Sequence, residues 1–401
     1  MWEQIRSNRI RSVVLVIGMG LLLLVLGYFL GLAFVDSGIG GLAIALVIWV
    51  VMSMVAYFQG DSILILASGA KKISRNDHPR LYNIVEEMKI ASGLPKMPDI
   101  YIIDDPALNA FATGRDPNKA SVAITSGLLQ KLNRDELQGV IAHEISHIKN
   151  RDVMLMAMTS VLLGTIVILA WYGSRIMIFG GAGRSRRSSS GGGGQGQAII
   201  FIVALALAIL APLFAYMIYF AISRKREYLA DACGAQYTRY PEGLASALEK
   251  LGASTGQLKS ANKATAPMYI INPFRKKGRA ATDLSSTHPP ISERIRILRS
   301  MGGGASFADY DTAYKKVHGG RGGVIPASAV ALAGATSQPV TPAERPAEPD
   351  KITRTRETSD LMWKLGKYKE IDCDCGAKLR VPPSFKQPEL KCPHCGRVHK
   401  I

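Results

Sequence analysis

The hydrophobic positions of this 401-residue chain are concentrated in four long runs, with mixed segments between them. Each run is about as long as the roughly 20 residues that an α-helix needs to cross a bilayer. The runs cover residues 12–35, 40–58, 153–171 and 198–222. The first is longer than a usual signal-peptide core, and no small-residue cleavage site follows it before the second run. We therefore predict four uncleaved spans in a mainly α-helical integral membrane protein.

In the segment between the second and third runs, apolar residues occur in short stretches with helical or strand spacing. This pattern predicts a domain outside the bilayer with a small β-sheet. Residues 78–90 have helical spacing and end at a Gly-Leu-Pro stop signal. Short strands are predicted at residues 99–103, 109–113 and 121–125. Asn133, followed by acidic residues, is a suitable cap for a further helix, which carries His143 and His147.

The chain is strongly basic, with 49 Lys and Arg against 31 Asp and Glu and a net charge of +18. Many basic residues flank the apolar runs, as in residues 6–11 before the first run and 224–226 after the last. This placement predicts contact with anionic lipid headgroups. No nucleic-acid binding is expected, because no basic surface is interleaved with aromatic residues.

One basic cluster conflicts with four complete crossings. Arg175, Arg184, Arg186 and Arg187 lie between the third and fourth runs, beside a segment at 184–197 whose Arg, Ser and Gly content predicts a flexible loop. If all four runs cross, this cluster lies on the non-cytoplasmic side, against the positive-inside rule. Either the third and fourth runs are partly re-entrant or the rule is overridden; the sequence leaves both open.

The motif with the clearest chemistry is His143-Glu144-Ile145-Ser146-His147. Residues four apart lie on one face of a helix, so two imidazoles can bind one Zn²⁺. Glu144 then lies where it can act as general base on a water at the open side of the metal. The motif also occurs by chance in unrelated chains, but the apolar residues around it predict a buried pair of histidines, which is costly unless something binds them.

A further ligand is available in a later segment, where Glu227 and Asp231 are also four residues apart. Glu227 would complete the zinc site, and Asp231 would accept a hydrogen bond from a ligand imidazole and fix its tautomer. Spacing alone equally fits a solvated acidic face beside Arg224 and Arg226.

Several motifs in order resemble the HtpX family of membrane zinc metalloproteases, over roughly residues 10–301. They are the His143–His147 motif, the two spans after it, Glu227-Tyr228-Leu229-Ala230-Asp231, Asn109-Ala110-Phe111-Ala112-Thr113-Gly114, Thr287-His288-Pro289-Pro290 and Glu293-Arg294-Ile295. The resemblance implies a zincin-type metalloprotease core that hydrolyses peptide bonds in membrane or misfolded proteins, a quality-control role. It also implies a multi-pass protein of the cell (inner or plasma) membrane whose active site faces the cytoplasm.

Under this interpretation His143, His147 and Glu227 hold the catalytic zinc, Glu144 activates water and Asp231 supports a ligand histidine. The oxyanion requires a further donor, for which His288 and Arg294 are candidates. His288 could instead be a turn residue held by the prolines after it, and Arg294 a structural salt-bridge partner. Residues Asn109, Ala110, Phe111 and Ala112 are expected to form an exposed edge strand with which an extended substrate pairs, although an ordinary edge strand fits the same pattern.

Four of the five cysteines, Cys373, Cys375, Cys392 and Cys395, lie near the C-terminus in two close pairs. This spacing predicts a zinc-ribbon-like unit with a structural Zn²⁺, although the first pair is one residue tighter than the usual spacing. His394 and His399 are alternative ligands, and unligated reduced thiols are the other possibility. Cys233 stands alone and is interpreted as a small core residue.

The predicted organisation follows these features. It comprises a transmembrane hairpin (1–59), the first part of the protease domain (60–152), a second hairpin (153–222), the second part of the protease domain (223–301), a linker (302–365) and the zinc-ribbon-like unit (366–401). A non-catalytic membrane scaffold that binds partners through its ribbon is the alternative function. A metal transporter is disfavoured because the four runs contain almost no ionisable residues. The oligomeric state is left open.

Overall fold

A computed structural model describes residues 2–180, 194–254, 256–259, 269–271, 289–320, 323–325, 330 and 348–401. Its helices are α1 (Trp2–Val35), α2 (Gly38–Ala67), α3 (Pro79–Ser92), α4 (Ser126–Lys131), α5 (Arg134–Lys149), α6 (Asp152–Gly180), α7 (Gly194–Thr238), α8 (Pro241–Ala253), α9 (Ile291–Arg299), α10 (Phe307–Val317) and α11 (Lys351–Leu365). Its strands are β1 (Lys71–Ile73), β2 (Asp99–Ile103), β3 (Ala110–Asp116), β4 (Lys119–Thr125), β5 (Lys369–Asp372), β6 (Lys378–Val381), β7 (Glu389–Lys391) and β8 (Val398–Lys400).

Within the described residues, four helical segments are long and apolar enough to cross a membrane, which confirms the predicted mainly α-helical membrane architecture. They are Val13–Val35, Gly38–Ala67, Asp152–Phe179 and Ala198–Met217. Their inward faces form a shared core, and large apolar residues such as Ile44 and Ile209 remain exposed where lipid would lie. Helices α1 and α2 approach so closely that a Cβ on Gly41 would lie 2.2 Å from the backbone oxygen of Gly27.

The third and fourth spans are unbroken helices, which favours complete crossings over re-entrant segments. Arg175, near the far end of α6, has its guanidinium 5.2 Å from the ring centroids of both Trp171 and Phe179. Aromatic contacts of this kind are typical of a membrane interface and stabilise a cation there. The other basic residues of this cluster, and residues 184–193 of the loop predicted at 184–197, lie outside the described residues, whereas residues 194–197 already belong to helix α7.

The domain outside the bilayer is built on a four-stranded sheet with the strand order β1-β2-β4-β3. Strands β2 and β4 are parallel, and the other two pairs are antiparallel. Apolar residues of the sheet pack with those of α3, α5 and α8 in one continuous core. Strand β3, at the edge of this sheet, crosses close to α5 and therefore lies beside the His143–His147 motif.

The two segments that carry the candidate site residues, α5 and the second half of α7, are both continuous with membrane spans. After α5 ends, Arg151 takes a left-handed conformation (φ 59°), and Asp152 then begins the third span. Helix α7 runs from the fourth span straight through Glu227 and Asp231 to Thr238. The boundary predicted at residue 222 is therefore not a break in the helix, and the site lies next to the bilayer surface.

Close packing of α5 against α8 gives a stability prediction at Gly139. A Cβ there would lie 2.7 Å from the backbone nitrogen of Leu244, which cannot move without shifting α8. We expect Gly139→Ala to destabilise the protein by about 1–3 kcal/mol, despite the better helix propensity of alanine. Thermal unfolding in detergent measures this. Gly252→Ala, whose nearest atom would be Ile291 Cγ2 at 3.4 Å, is the control and should not destabilise.

The segment predicted as a linker at 302–365 is partly folded, so this prediction was wrong for α10 and α11. Phe307, Tyr310 and Leu361 belong to the main core. Lys364 Nζ lies 2.5 Å from Asp77 Oδ1, which ties the end of α11 to the loop before α3. The C-terminal unit that follows consists of two antiparallel hairpins, β5–β6 and β7–β8.

Candidate active site

Helix α5 brings the two predicted histidine ligands together in a buried position. Its start is fixed by a capping box between Asn133 and Glu136, which satisfies backbone donors of the first turn. His143 Nε2 and His147 Nε2 lie 3.3 Å apart, and His143 is fully buried. The spacing of four residues thus gives two imidazoles that converge on one point.

Glu227, from α7, faces this point from the other side. Its carboxylate oxygens lie 3.5 Å from His143 Nε2 and 3.5 Å from His147 Nε2. Ligands at about 2.0–2.1 Å from a tetrahedral Zn²⁺ are separated by roughly 3.3–3.4 Å. The donor set of two imidazoles and one carboxylate therefore fits a zinc ion in both chemistry and spacing, and three protein ligands leave one position for water or substrate.

Two further residues lie on the Nδ1 side of His143. Asp231 Oδ1 is 3.0 Å from His143 Nδ1. Arg294, which is fully buried, donates to both oxygens of Asp231, from Nε at 2.8 Å and from Nη2 at 2.6 Å, and its Nη1 lies 3.6 Å from Glu227 Oε2. The guanidinium thus balances two buried carboxylates, which is the salt-bridge alternative considered for Arg294. The other oxyanion candidate, His288, lies outside the described residues.

His147 has a carboxylate partner that the sequence did not suggest. Asp152 Oδ2 lies 3.2 Å from His147 Nδ1, and Asp152 is fully buried. Asp152 lies directly before the third apolar run (153–171) and outside the His143–His147 motif, so neither pattern connects it to the site. The signal that could have identified it is an acidic residue directly before an apolar run and five positions after a candidate ligand.

Glu144 is almost fully buried and lies against the sheet. The backbone N–H of Ala112 on β3 is near its carboxylate and favours the charged form. Burial raises the pKa of Glu144, while the nearby histidines and the Ala112 donor act in the opposite direction. A carboxylate with a raised pKa, placed beside a metal site, is suited to take a proton from water.

The charges around His143 favour a cation in the centre. Burial alone would lower the pKa of His143, but hydrogen bonds to Asp231 and Glu227 outweigh it and raise the pKa to about 9. Burial would likewise raise the pKa of Asp231, but the charge and hydrogen bonds of Arg294 keep it below its usual value. Anionic carboxylates therefore surround the imidazoles, as a divalent metal requires.

The predicted substrate strand is an edge strand, but it is not exposed. Asn109, Ala110, Phe111 and Ala112 are all buried. A segment of the chain itself, Tyr269–Ile271, lies along it: Ile270 N donates to Ala110 O at 3.0 Å, and Asn109 Nδ2 donates to the backbone oxygen of Ile271 at 3.1 Å. This contact could not be read from the sequence because it joins positions about 160 residues apart.

The four C-terminal cysteines form a second candidate metal centre. Sγ of Cys373 is 3.5 Å from that of Cys395, and Sγ of Cys375 is 3.8 Å from that of Cys392. Four thiolates around a tetrahedral Zn²⁺ are about 3.8 Å apart, so the cluster fits this ion. Backbone N–H groups of Cys395 and His394 lower the pKa of the Cys392 thiol to about 6, which favours the thiolate.

The turns of this unit have the shape of metal-binding knuckles. Gly376 and Gly396, each directly after a cysteine, adopt left-handed conformations with φ of 82° and 79°. Neither His394 nor His399 belongs to the four-cysteine group. Cys233, by contrast, is buried in the main core as predicted, where Asn150 donates to its sulfur.

Four membrane spans and a buried two-histidine, one-glutamate site beside a second glutamate define a membrane-bound zinc metalloprotease. The pattern of "Peptidase family M48" matches residues 75–302. A "Protease HtpX homolog" of Dictyoglomus turgidum is 46% identical over 301 residues, which cover 75% of this chain and 95% of that protein. Another, of Streptococcus mutans, is 44% identical over 301 residues, with coverages of 75% and 100%. The chain therefore belongs to the HtpX family of membrane metalloproteases, and a non-catalytic scaffold is not favoured.

Among solved structures, the crystal structure of S. mikatae Ste24p covers 74% of this chain and 67% of its own, with 21% identity and a TM-score of 0.40. This likeness is distant. The sequence relatives span 301 residues, three quarters of the chain. The C-terminal cysteine unit lies beyond the part matched by family M48.

Proposed function

We propose that Glu144 is the general base of an endopeptidase whose zinc is held by His143, His147 and Glu227. One observation carries the proposal: these three residues each bring a ligand atom to within 4.8 Å of the other two. When bound, the zinc acts as a Lewis acid that makes water more acidic and polarises the scissile carbonyl. Glu144 accepts a proton from water and later returns a proton to the leaving amine.

The other residues have supporting roles in this mechanism. The nearby Ala112 N–H favours the charged form of the Glu144 carboxylate, and Asp231 fixes the tautomer of His143 so that Nε2 faces the metal. Arg294 keeps the pKa of Asp231 below its usual value, and its guanidinium lies beside the Glu227 carboxylate. His288 remains a candidate donor to the oxyanion.

The substrate is proposed to be a membrane or misfolded protein that enters as an extended strand along β3. In an antiparallel strand, the backbone N–H and C=O of one residue point to the same side, and the side alternates from residue to residue. Ala112 therefore presents its carbonyl on the same side as its N–H, away from β4. Ala110 O is already engaged by Ile270, which leaves the Ala112 end of the strand for pairing. This end is also nearest to Glu144, where the scissile bond has to lie.

We further propose that the site faces the cytoplasm of a cell (inner or plasma) membrane. The spans enter and leave the protease domain on the side that carries the basic residues 6–11 and 224–226. These flanking residues are suited to anionic lipid headgroups. Protease accessibility of the domain in sealed spheroplasts and in inverted vesicles distinguishes the two orientations: digestion only in inverted vesicles is expected.

Two zinc ions per chain are expected, one at each centre. In the full chain, replacing Cys392 and Cys395 together with serine should remove one zinc, and replacing His143 and His147 together with alanine should remove the other. Elemental analysis of the purified variants measures this. Keeping the full chain matters, because α11 contributes Leu361 to the main core. Two zincs in the cysteine variant would rule out the proposed structural site.

A further inference from the structure

Asp152 occupies a position that is defined by the junction between α5 and the third span. It is the first residue of the candidate span Asp152–Phe179 and is fully buried. The left-handed Arg151 turns the chain, while Asn150 N donates to Ser146 O at 2.8 Å and Arg151 N donates to Ile148 O at 3.1 Å. The junction thus carries the carboxylate back to the last turn of α5, with Oδ2 3.2 Å from His147 Nδ1.

A histidine can bind a metal through Nε2 when its proton is on Nδ1, and a carboxylate that accepts this proton's hydrogen bond fixes both the tautomer and the ring orientation. His143 has such a partner in Asp231, at 3.0 Å. His147 has the equivalent partner in Asp152. The first turn of a helix also stabilises negative charge, which suits a residue that must accept this bond.

We propose that Asp152 is a positioning residue that holds His147 in the orientation needed to bind zinc. It has this role only if His147 is a zinc ligand, as proposed above. Each ligand histidine is then oriented by a carboxylate from a helix that is continuous with a membrane span: Asp152 with the third span and Asp231 with the fourth. A shift of the third span along its axis would move Asp152 relative to His147. The geometry of the zinc site therefore depends on the axial position of this span.

The test measures zinc affinity of the full chain in detergent, by competition with a chelator. We expect Asp152→Ala to weaken zinc binding by about 10- to 100-fold. Asp152→Asn keeps the volume and a carbonyl oxygen that can accept the Nδ1–H bond, so its loss should be smaller. Asp61→Asn is the matched control, since it removes an aspartate charge near the C-terminal end of α2 without touching the site. Its zinc affinity should equal that of wild type.

A second measurement separates orientation of the ligand from general folding. The visible spectrum of the Co²⁺-substituted protein reports ligand geometry, and it should change in Asp152→Ala but not in Asp61→Asn. Wild-type zinc affinity and an unchanged cobalt spectrum in Asp152→Ala would overturn the proposal. If Asp152→Ala fails to fold, Asp152→Asn decides: a measurable loss of zinc affinity with a changed cobalt spectrum supports the positioning role, whereas an affinity and a spectrum equal to wild type overturn it. If His147→Ala itself retains wild-type zinc affinity, the ligand set fails and not only the role of Asp152.

Discussion

Glu144→Gln will lower the rate of peptide-bond cleavage by about 10²- to 10⁴-fold while zinc remains bound. Glutamine has nearly the same volume and keeps an oxygen that can face the nearby Ala112 N–H. It cannot take a proton from water, so only the general-base step is removed. Initial cleavage rates of a membrane-protein substrate in detergent, with zinc content measured on the same samples, test this.

The matched control for this substitution is Glu249→Gln on the exposed face of α8. Glu249 pairs with Arg299 and is 58% exposed, so removing its charge should leave both cleavage and zinc content unchanged. Cleavage by Glu144→Gln at the wild-type rate would exclude Glu144 as the base. Loss of zinc from Glu144→Gln would instead mean that Glu144 contributes to the metal site.

Helix α5 was predictable because the sequence signals for it lie within one short segment. His143 and His147 lie four apart, and the Asn133 cap and apolar residues mark one helix around them. Glu227 was also identifiable, because a pair of acidic residues follows the fourth span at helical spacing and resembles a known motif. Whether these segments meet is decided by the tertiary structure. They meet because α5 leads into the third span while the fourth span continues as α7.

Two features were not predictable from pattern. Hydropathy marks only the part of a helix that lies in lipid, so it could not show that α7 is one helix through Glu227 and Asp231. Composition also hid α10 and α11, since short helices with a few anchors such as Tyr310 and Leu361 have the average polarity of a linker. In both cases long-range packing decides the structure.

The burial of the predicted substrate strand was unexpected for the same reason. An edge strand has unpaired backbone groups, and no local pattern indicates that Ile270 bonds to one of them. Tyr269 adds an edge-to-face contact with Phe111, at 5.2 Å between ring centroids. The segment therefore closes one end of β3, and the substrate pairing proposed above would be confined to the end beside Glu144.

Arg294→Met will destabilise the protein by about 3–5 kcal/mol, because it leaves two buried carboxylates without their common counter-charge. Arg294 is fully buried and makes two hydrogen bonds to Asp231, and its Nη1 lies 3.6 Å from Glu227. Methionine fills similar space but carries no charge. Thermal unfolding of the zinc-loaded protein in detergent measures the loss, and reduced zinc affinity should accompany it because Asp231 no longer orients His143 in the same way.

Arg299→Met, on the same helix α9, is the control for removal of an arginine. Arg299 pairs with Glu242 and Glu249 at the surface and is 42% exposed, so its loss should leave the unfolding temperature close to that of wild type. Arg294→Lys should fall between the two, since an ammonium keeps the charge but cannot make both parallel bonds to Asp231. If Arg294→Met unfolds at the same temperature as Arg299→Met, the buried carboxylates do not depend on Arg294. A direct role for its guanidinium at the oxyanion would then be the better explanation of any lost cleavage.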